Sequence, residues 1–225
     1  MLLAVVAGSL ALVSLAPPAT GREPSHVRLP DAPEELLPPE RENDALVRGG
    51  SPRAACLDAA RRAEAVHGLP AGLLVAVALS ESGLHAYALN ISGRAVYPDN
   101  EAKARSLLRA ASPRHAVMAG CVQVNANVHA RGSDWPLDPV RSADWAGGML
   151  RRWFLETGSW VEALRRWHGG SPASTRHALC RVRAKLEVTA PGSDLLADVG
   201  CGGTEFVRAR RSGAALLEVA EAPEH

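Results

Sequence analysis

No CxxC pair occurs in this chain, and no cluster of cysteine and histidine has the spacing of a zinc site, so the sequence implies no metal centre. Charge of one sign is not in excess: 25 Lys and Arg stand against 24 Asp and Glu, for a net charge of +1, and bulk electrostatics gives no argument for a nucleic-acid partner. There is no internal repeat. No apolar run reaches the roughly 20 residues that a membrane span needs. The longest, "LLAVVAGSLALVSLA" (Leu2–Ala16), has 15 residues, which suits the hydrophobic region of a signal peptide. It lacks a positively charged leader and a lipobox cysteine, and Pro17 and Pro18 obscure a cleavage point. Residues 1–20 are therefore expected to be a signal peptide or an uncleaved N-terminal anchor, with a buried helix as the third alternative. The first two both imply export.

What is present fits that destination. Four cysteines, Cys56, Cys121, Cys180 and Cys201, are an even number in an exported chain. They allow up to two disulfides in three connectivities, of which Cys56–Cys121 with Cys180–Cys201 is the expectation taken here. Four buried free thiols are the alternative. Residues 21–50 are rich in proline and charge without a sustained period and read as a tether. Residues 189–225 read as a C-terminal tail, part of which forms a short helix. The length of the chain leaves room for one good-sized core between them, over residues 51–188.

That core reads as mainly helical. "CLDAARRAEAVHG" places Cys56, Ala59, Ala60, Ala63 and Val66 on one face, and Gly68 ends the helix. "AGLLVAVALSESG" is the second helix. Gly93–Arg94 lies between two short apolar runs and predicts a small hairpin, after which Asn100 caps a helix over "EAKARSLLRA". "AVMAGCVQVN" is either extended or a tight turn. Ala146, Met149, Leu150 and Trp153 share a helical face. Ser159 and Glu162 form a capping-box pair before Trp160, Ala163, Leu164 and Trp167. Ser171 and Pro172 open a last helix with Leu179, Val182 and Leu186 inward.

Glu81 stands out. Leu74, Val77, Ala78 and Glu81 fall on one stripe, so an acid is directed toward the core at the end of a helix that Gly83 stops. Desolvation and the negative end of the helix dipole both raise the pKa of such a carboxyl, and a protonated carboxyl can donate to a leaving oxygen. Taken alone, the spacing equally describes a glutamate that bends out to solvent.

Three motifs in order and at matching intervals decide between these readings. Glu81-Ser82, then Gly120-Cys121-Val122-Gln123-Val124-Asn125, then Trp167-His168-Gly169-Gly170 resemble the lytic transglycosylase SLT domain, a branch of the lysozyme-like superfamily. The resemblance covers roughly residues 54–187. It implies an α+β lysozyme-like fold, mainly α, whose helical bundle carries a small β-hairpin element beside a glycan cleft. It implies Glu81 as the single catalytic acid and base, cleaving the β-1,4 bond between MurNAc and GlcNAc in peptidoglycan and leaving 1,6-anhydro-MurNAc ends. Ser82, Gln123, Asn125, Trp167 and His168 are the implied substrate contacts. No cofactor follows, and His129 is read as structural. Trp167 stands where the family usually has a tyrosine, so an indole N–H replaces a hydroxyl near Glu81. The implied setting is the periplasm, beside a secretion, conjugation or flagellar assembly. A non-catalytic glycan-binding protein on the same fold and a hydrolytic muramidase are the alternatives. Asp99 and Glu101, the nearest downstream acids, read as a turn residue and a helix N-terminal charge.

Overall fold

Ser51 opens the first helix, α1 (Pro52–His67): its hydroxyl accepts the Ala54 N–H at 3.1 Å, and Pro52 occupies the first turn, where a missing N–H costs nothing. The structure, a computed structural model, describes residues 51–112 and 114–223. The segments expected over 1–20 and 21–50 lie outside the described residues. Cys56, Ala59, Ala60 and Ala63 are buried along α1, but Val66 is 67% exposed. The last inward position of that helix is taken by His67, whose ring lies against Gly147 and hydrogen-bonds Asp144 at 2.8 Å.

The second helix, α2 (Leu73–Glu81), is buried all round from Leu73 to Leu79, rather than along the stripe the spacing predicts. Helix α1 and three later helices surround it, so a run with no polar face forms the centre of the domain. Its start has no cap of its own, because Gly72 holds a left-handed φ of 79°. Glu64 of α1 supplies one instead: its carboxylate accepts the Gly72 N–H at 2.9 Å and the Val75 N–H at 3.0 Å.

The predicted hairpin is part of a larger sheet. Strands β1 (Leu89–Ile91) and β2 (Arg94–Val96) flank the two-residue turn Ser92-Gly93, both at positive φ, with Asn90 Oδ1 accepting the Gly93 N–H at 2.8 Å. The turn is one residue earlier than Gly93–Arg94. "AVMAGCVQVN" turns out to be both extended and turned: β3 (Val117–Ala119), a turn over 120–123, and β4 (Val124–Asn125). All pairings are antiparallel, in the order β2-β1-β3-β4, with Leu89 opposite both Val96 and Ala119. Helix α3 (Glu101–Ala110), capped by Asn100 on the Lys103 N–H at 2.9 Å, brings Ala104 against Leu89, Ala119 and Leu137 in a second small core. Asp99 and Glu101 are tied to cations on α3, Lys103 at 3.1 Å and Arg105 at 2.5 Å.

Gly120 permits the β3–β4 turn. It holds a φ of +78°, and a Cβ there would lie 1.7 Å from the Pro136 carbonyl oxygen, a backbone atom that cannot swing aside. Gly120→Ala is expected to cost about 2–3 kcal/mol, read as a lower midpoint in thermal unfolding.

After a short α4 (Ala126–His129) and a 3-10 turn (Trp135–Leu137), α5 (Pro139–Thr157) starts from Asp138, whose carboxylate accepts the Val140 and Arg141 N–H groups. Ser159 caps α6 (Trp160–His168) through the Glu162 N–H at 3.3 Å, but the reciprocal half of the capping box is absent. The Ser159 N–H goes to Thr157 Oγ1 at 3.3 Å, and the Glu162 carboxylate faces Arg165 at 3.4 Å. Helix α7 (Pro172–Thr189) opens at Ser171 and buries Leu179, Val182 and Leu186.

The largest departure from the sequence reading lies at the C-terminal end. The expected tail carries a 19-residue helix, α8 (Gly203–Glu221), packed on α7, α1 and α2. Phe206, Ala209, Gly213, Leu216 and Ala220 form its inward line at helical spacing. Glu221 is paired with Arg61 of α1. Two disulfides complete the frame. Cys56–Cys121 joins α1 to the β3–β4 turn, and Cys180–Cys201 joins α7 to the segment leading into α8.

Candidate active site

Glu81 is the last residue of α2, on a helix whose length is otherwise submerged. The chain leaves at once: Ser82 closes the helix on the Ala78 carbonyl, Gly83 adopts a φ of 64°, and the Arg53 guanidinium donates to the Gly83 carbonyl. Glu81 as a whole is partly exposed, yet burial pushes its carboxyl above the ordinary glutamate value. Arg181 and a hydrogen bond with the Trp167 side chain pull the other way without offsetting it. The indole has only its N–H to give, so Trp167 is the donor and Glu81 the acceptor.

Trp167 is therefore more than core packing. Its ring reaches the acid through a donor that favours the ionised carboxylate. Behind it runs a row of three partly buried indoles ending at the exposed ring of His129: Trp167 lies 5.9 Å from Trp145, and Trp145 lies 5.6 Å from Trp135 and 4.9 Å from His129, centroid to centroid. The row was not visible in the sequence, because its members come from α4, α5, α6 and the 3-10 turn.

The four other predicted contacts are committed elsewhere or stand apart. Ser82 is buried, with its hydroxyl 2.6 Å from the Cys121 carbonyl and 3.2 Å from that of Ala78, and it accepts the His85 N–H at 3.1 Å. It fastens the end of α2 to the β3–β4 turn, and its one O–H is committed to those carbonyls. Gln123 and Asn125 do not share an extended face. Gln123 sits in the turn at φ 52°, and its side-chain NH2 donates to the Ala88 and Gly120 carbonyls at 3.1 and 3.0 Å. Asn125, in β4, has a buried Oδ1 with no hydrogen-bond partner among the described residues. The same holds for His168 Nε2. Burial, helped by Arg181, holds the His168 pKa below the usual histidine value, so the ring is neutral at neutral pH.

Glu81 opens on a cavity of about 990 Å³ between the end of α2, α7 and α8. Gln123, Asn125, Trp167 and His168 are not among its lining residues. Five basic side chains line it, Arg53, Arg176, Arg181, Lys185 and Arg208, against two acids, Glu81 and Glu205. The sequence reading missed this wall because it treated residues after 188 as a tail; the period of Phe206, Ala209, Gly213, Leu216 and Ala220 was the available signal. Among the described residues, no group of three His, Cys, Asp or Glu could hold a metal ion, and no helix is long and apolar enough to cross a membrane.

Fold and site together define a class: a mainly helical domain with a small four-stranded antiparallel sheet, in which one desolvated acid at a helix end faces a basic cavity. No family model, curated protein or solved structure matches the chain.

Proposed function

We propose that the chain is an exported peptidoglycan lytic transglycosylase with a lysozyme-like fold. The observation that carries this reading is Glu81 itself, an acid held toward its protonated form at the end of a buried helix, bonded by an indole N–H and open to a cavity. The order and spacing of Glu81-Ser82, the Gly120–Asn125 segment and Trp167-His168-Gly169-Gly170 support it.

In this reading Glu81 gives its proton to the oxygen bridging MurNAc and GlcNAc, and the bond from that oxygen to C1 breaks. The substrate's N-acetyl oxygen stabilises C1. The Glu81 carboxylate, favoured at that moment by the Trp167 N–H and by Arg181, takes the proton from the C6 hydroxyl as O6 closes on C1. No water is consumed, Glu81 ends protonated as it began, and one acid suffices where most glycosidases use two. The two disulfides agree with export to the periplasm, and local wall opening beside an envelope-spanning assembly is the role proposed.

Peptidoglycan digested with the full chain and analysed by mass spectrometry tests the reading. Anhydro ends are expected from the wild type. Hydrated ends would mean a hydrolase, with Glu205 on the facing wall as the acid available to serve a water. No products would leave a glycan-binding protein.

The pH profile gives a second check. Cleavage requires protonated Glu81, so the rate falls as pH rises through its elevated pKa. Arg181 holds that pKa down, and Arg181→Gln is expected to move the basic limb of the profile to higher pH. An unshifted limb would detach Arg181 from the acid.

A further inference from the structure

The basic side chains of the cavity have little to hold. Among the described residues Arg181, Lys185 and Arg208 make no ion pair, and Arg53 and Arg176 each give a donor only to a backbone carbonyl, those of Gly83 and Gly200. Lys185 is the most telling. It is 5% exposed, its aliphatic stem lies against Gly213 of α8, and no carboxylate lies within ion-pair distance. A buried cation without a counter-ion is costly, and several in one concavity focus a positive potential that an anion would relieve. Of the two acids on the walls, Glu205 is already 3.7 Å from His177, and its side chain is 79% exposed. Leu79, Phe206 and Leu216 add apolar wall to the same space. The volume, about 990 Å³, exceeds what a single small anion requires and accommodates a short peptide.

We propose that this cavity binds the carboxylates of a short acidic peptide carried by the same glycan strand whose bond Glu81 reaches. The inference rests on the lytic reading above and adds the part of the substrate that the acid does not touch. Arg208 and Arg176 take the carboxylates from the two walls that α8 and α7 contribute, Lys185 balances them from below, and the apolar residues meet the peptide's side chains. Strands with free peptide carboxylates are then preferred over amidated or peptide-free strands. The apolar wall favours a peptide over a bare phosphate.

Binding is measured by calorimetry on the full chain with three probes: N-acetylmuramyl-L-alanyl-D-glutamate, its diamide, and inorganic phosphate. The acidic peptide is expected to bind at least about tenfold tighter than the diamide, and the double variant Arg176→Gln/Arg208→Gln to reduce that ratio to about twofold or less. Arg211→Gln, which removes one positive charge from an exposed position of α8 outside the cavity lining, should keep the ratio. Equal binding of acid and diamide, absence of binding, phosphate binding as tight as peptide binding, or a ratio the double variant does not change would each overturn the proposal. Digestion of peptide-free strands separates it from the parent reading. Anhydro ends without a preference for the acidic peptide defeat only the cavity assignment. The preference without anhydro ends sustains the cavity and defeats the enzymatic reading.

Discussion

Glu81→Gln is expected to lower release of anhydro-muropeptides by about a thousandfold, in the range that loss of a general acid and base costs, while the domain stays folded. Glutamine keeps the size of the side chain, and its amide oxygen can still accept the Trp167 N–H. What it loses is the proton that leaves and returns. The stability of the variant carries independent information. Because burial raises the folded pKa of Glu81 above the ordinary 4.5, the unfolded chain ionises first as pH rises. The wild type therefore loses stability from about pH 4.5 upward until the native carboxyl has also ionised. Glutamine has no such loss. The two proteins should melt together in acid, and the variant should melt at the same or a higher temperature at neutral pH. Thermal scans from pH 4 to 8 measure this directly. A variant that melts well below the wild type across the range would make Glu81 a structural group and remove the basis of the catalytic proposal.

The largest loss of stability is expected at Glu64, the buried acid of α1 that caps the start of α2. Glu64 is 7% exposed and receives the N–H groups of Gly72, Leu74 and Val75 at the start of α2. Burial holds its carboxyl above the ordinary value in spite of those three donors. Glu64→Ala leaves the donors unpaired in a place water does not reach, at a cost of about 1–3 kcal/mol for each group so stranded. Some relaxation will return part of it, and a net loss of about 4 kcal/mol, a drop in melting temperature on the order of 10 °C, is the expected result. Glu64→Gln, which retains one acceptor oxygen, should fall between. If alanine shifted the midpoint by less than about 2 °C, the helix would not depend on this cap. The acids at the two ends of α2, Glu64 of α1 and Glu81 of α2 itself, thus have opposite duties. At the positive end of the helix dipole, Glu64 is surrounded by donors and holds the chain together; at the negative end, Glu81 has one donor and an open side.

Much of this was readable in the chain. Helix starts at Asn100, Ser159 and Ser171 each present a side chain that accepts a nearby N–H, and local chemistry of that kind survives whatever packs around it; the same signal at Ser51-Pro52 lies ahead of Cys56, where the first helix was expected to begin. That Glu81 ends a helix was legible from the apolar run and Gly83, but the direction of its side chain was not, because the same spacing describes a glutamate that bends out to solvent. Glu64 was not legible. On α1 it is one charged residue among several, and only the third dimension reveals that the start of α2 passes over it. Gln123 misled because alternation in "GCVQVN" looks like a strand, whereas Gly120 turns the chain and brings the glutamine's own amide back on the Ala88 carbonyl. The basic cavity was hidden by a boundary. With the fold expected to end at residue 188, the periodic residues of 206–220 had no core to be compared with.

The bridge from Cys180 to Cys201 also ties chemistry to surroundings. It anchors the strip of chain from which Glu205, Phe206 and Arg208 hang, and both of its sulfur-bearing residues belong to the chamber they enclose. Where thiols are kept reduced, only non-covalent packing holds that far wall; where they oxidise, it is fastened permanently. The far wall of the chamber is thus sensitive to the redox state around the molecule, and the site that it helps to enclose is covalently framed only under oxidising conditions.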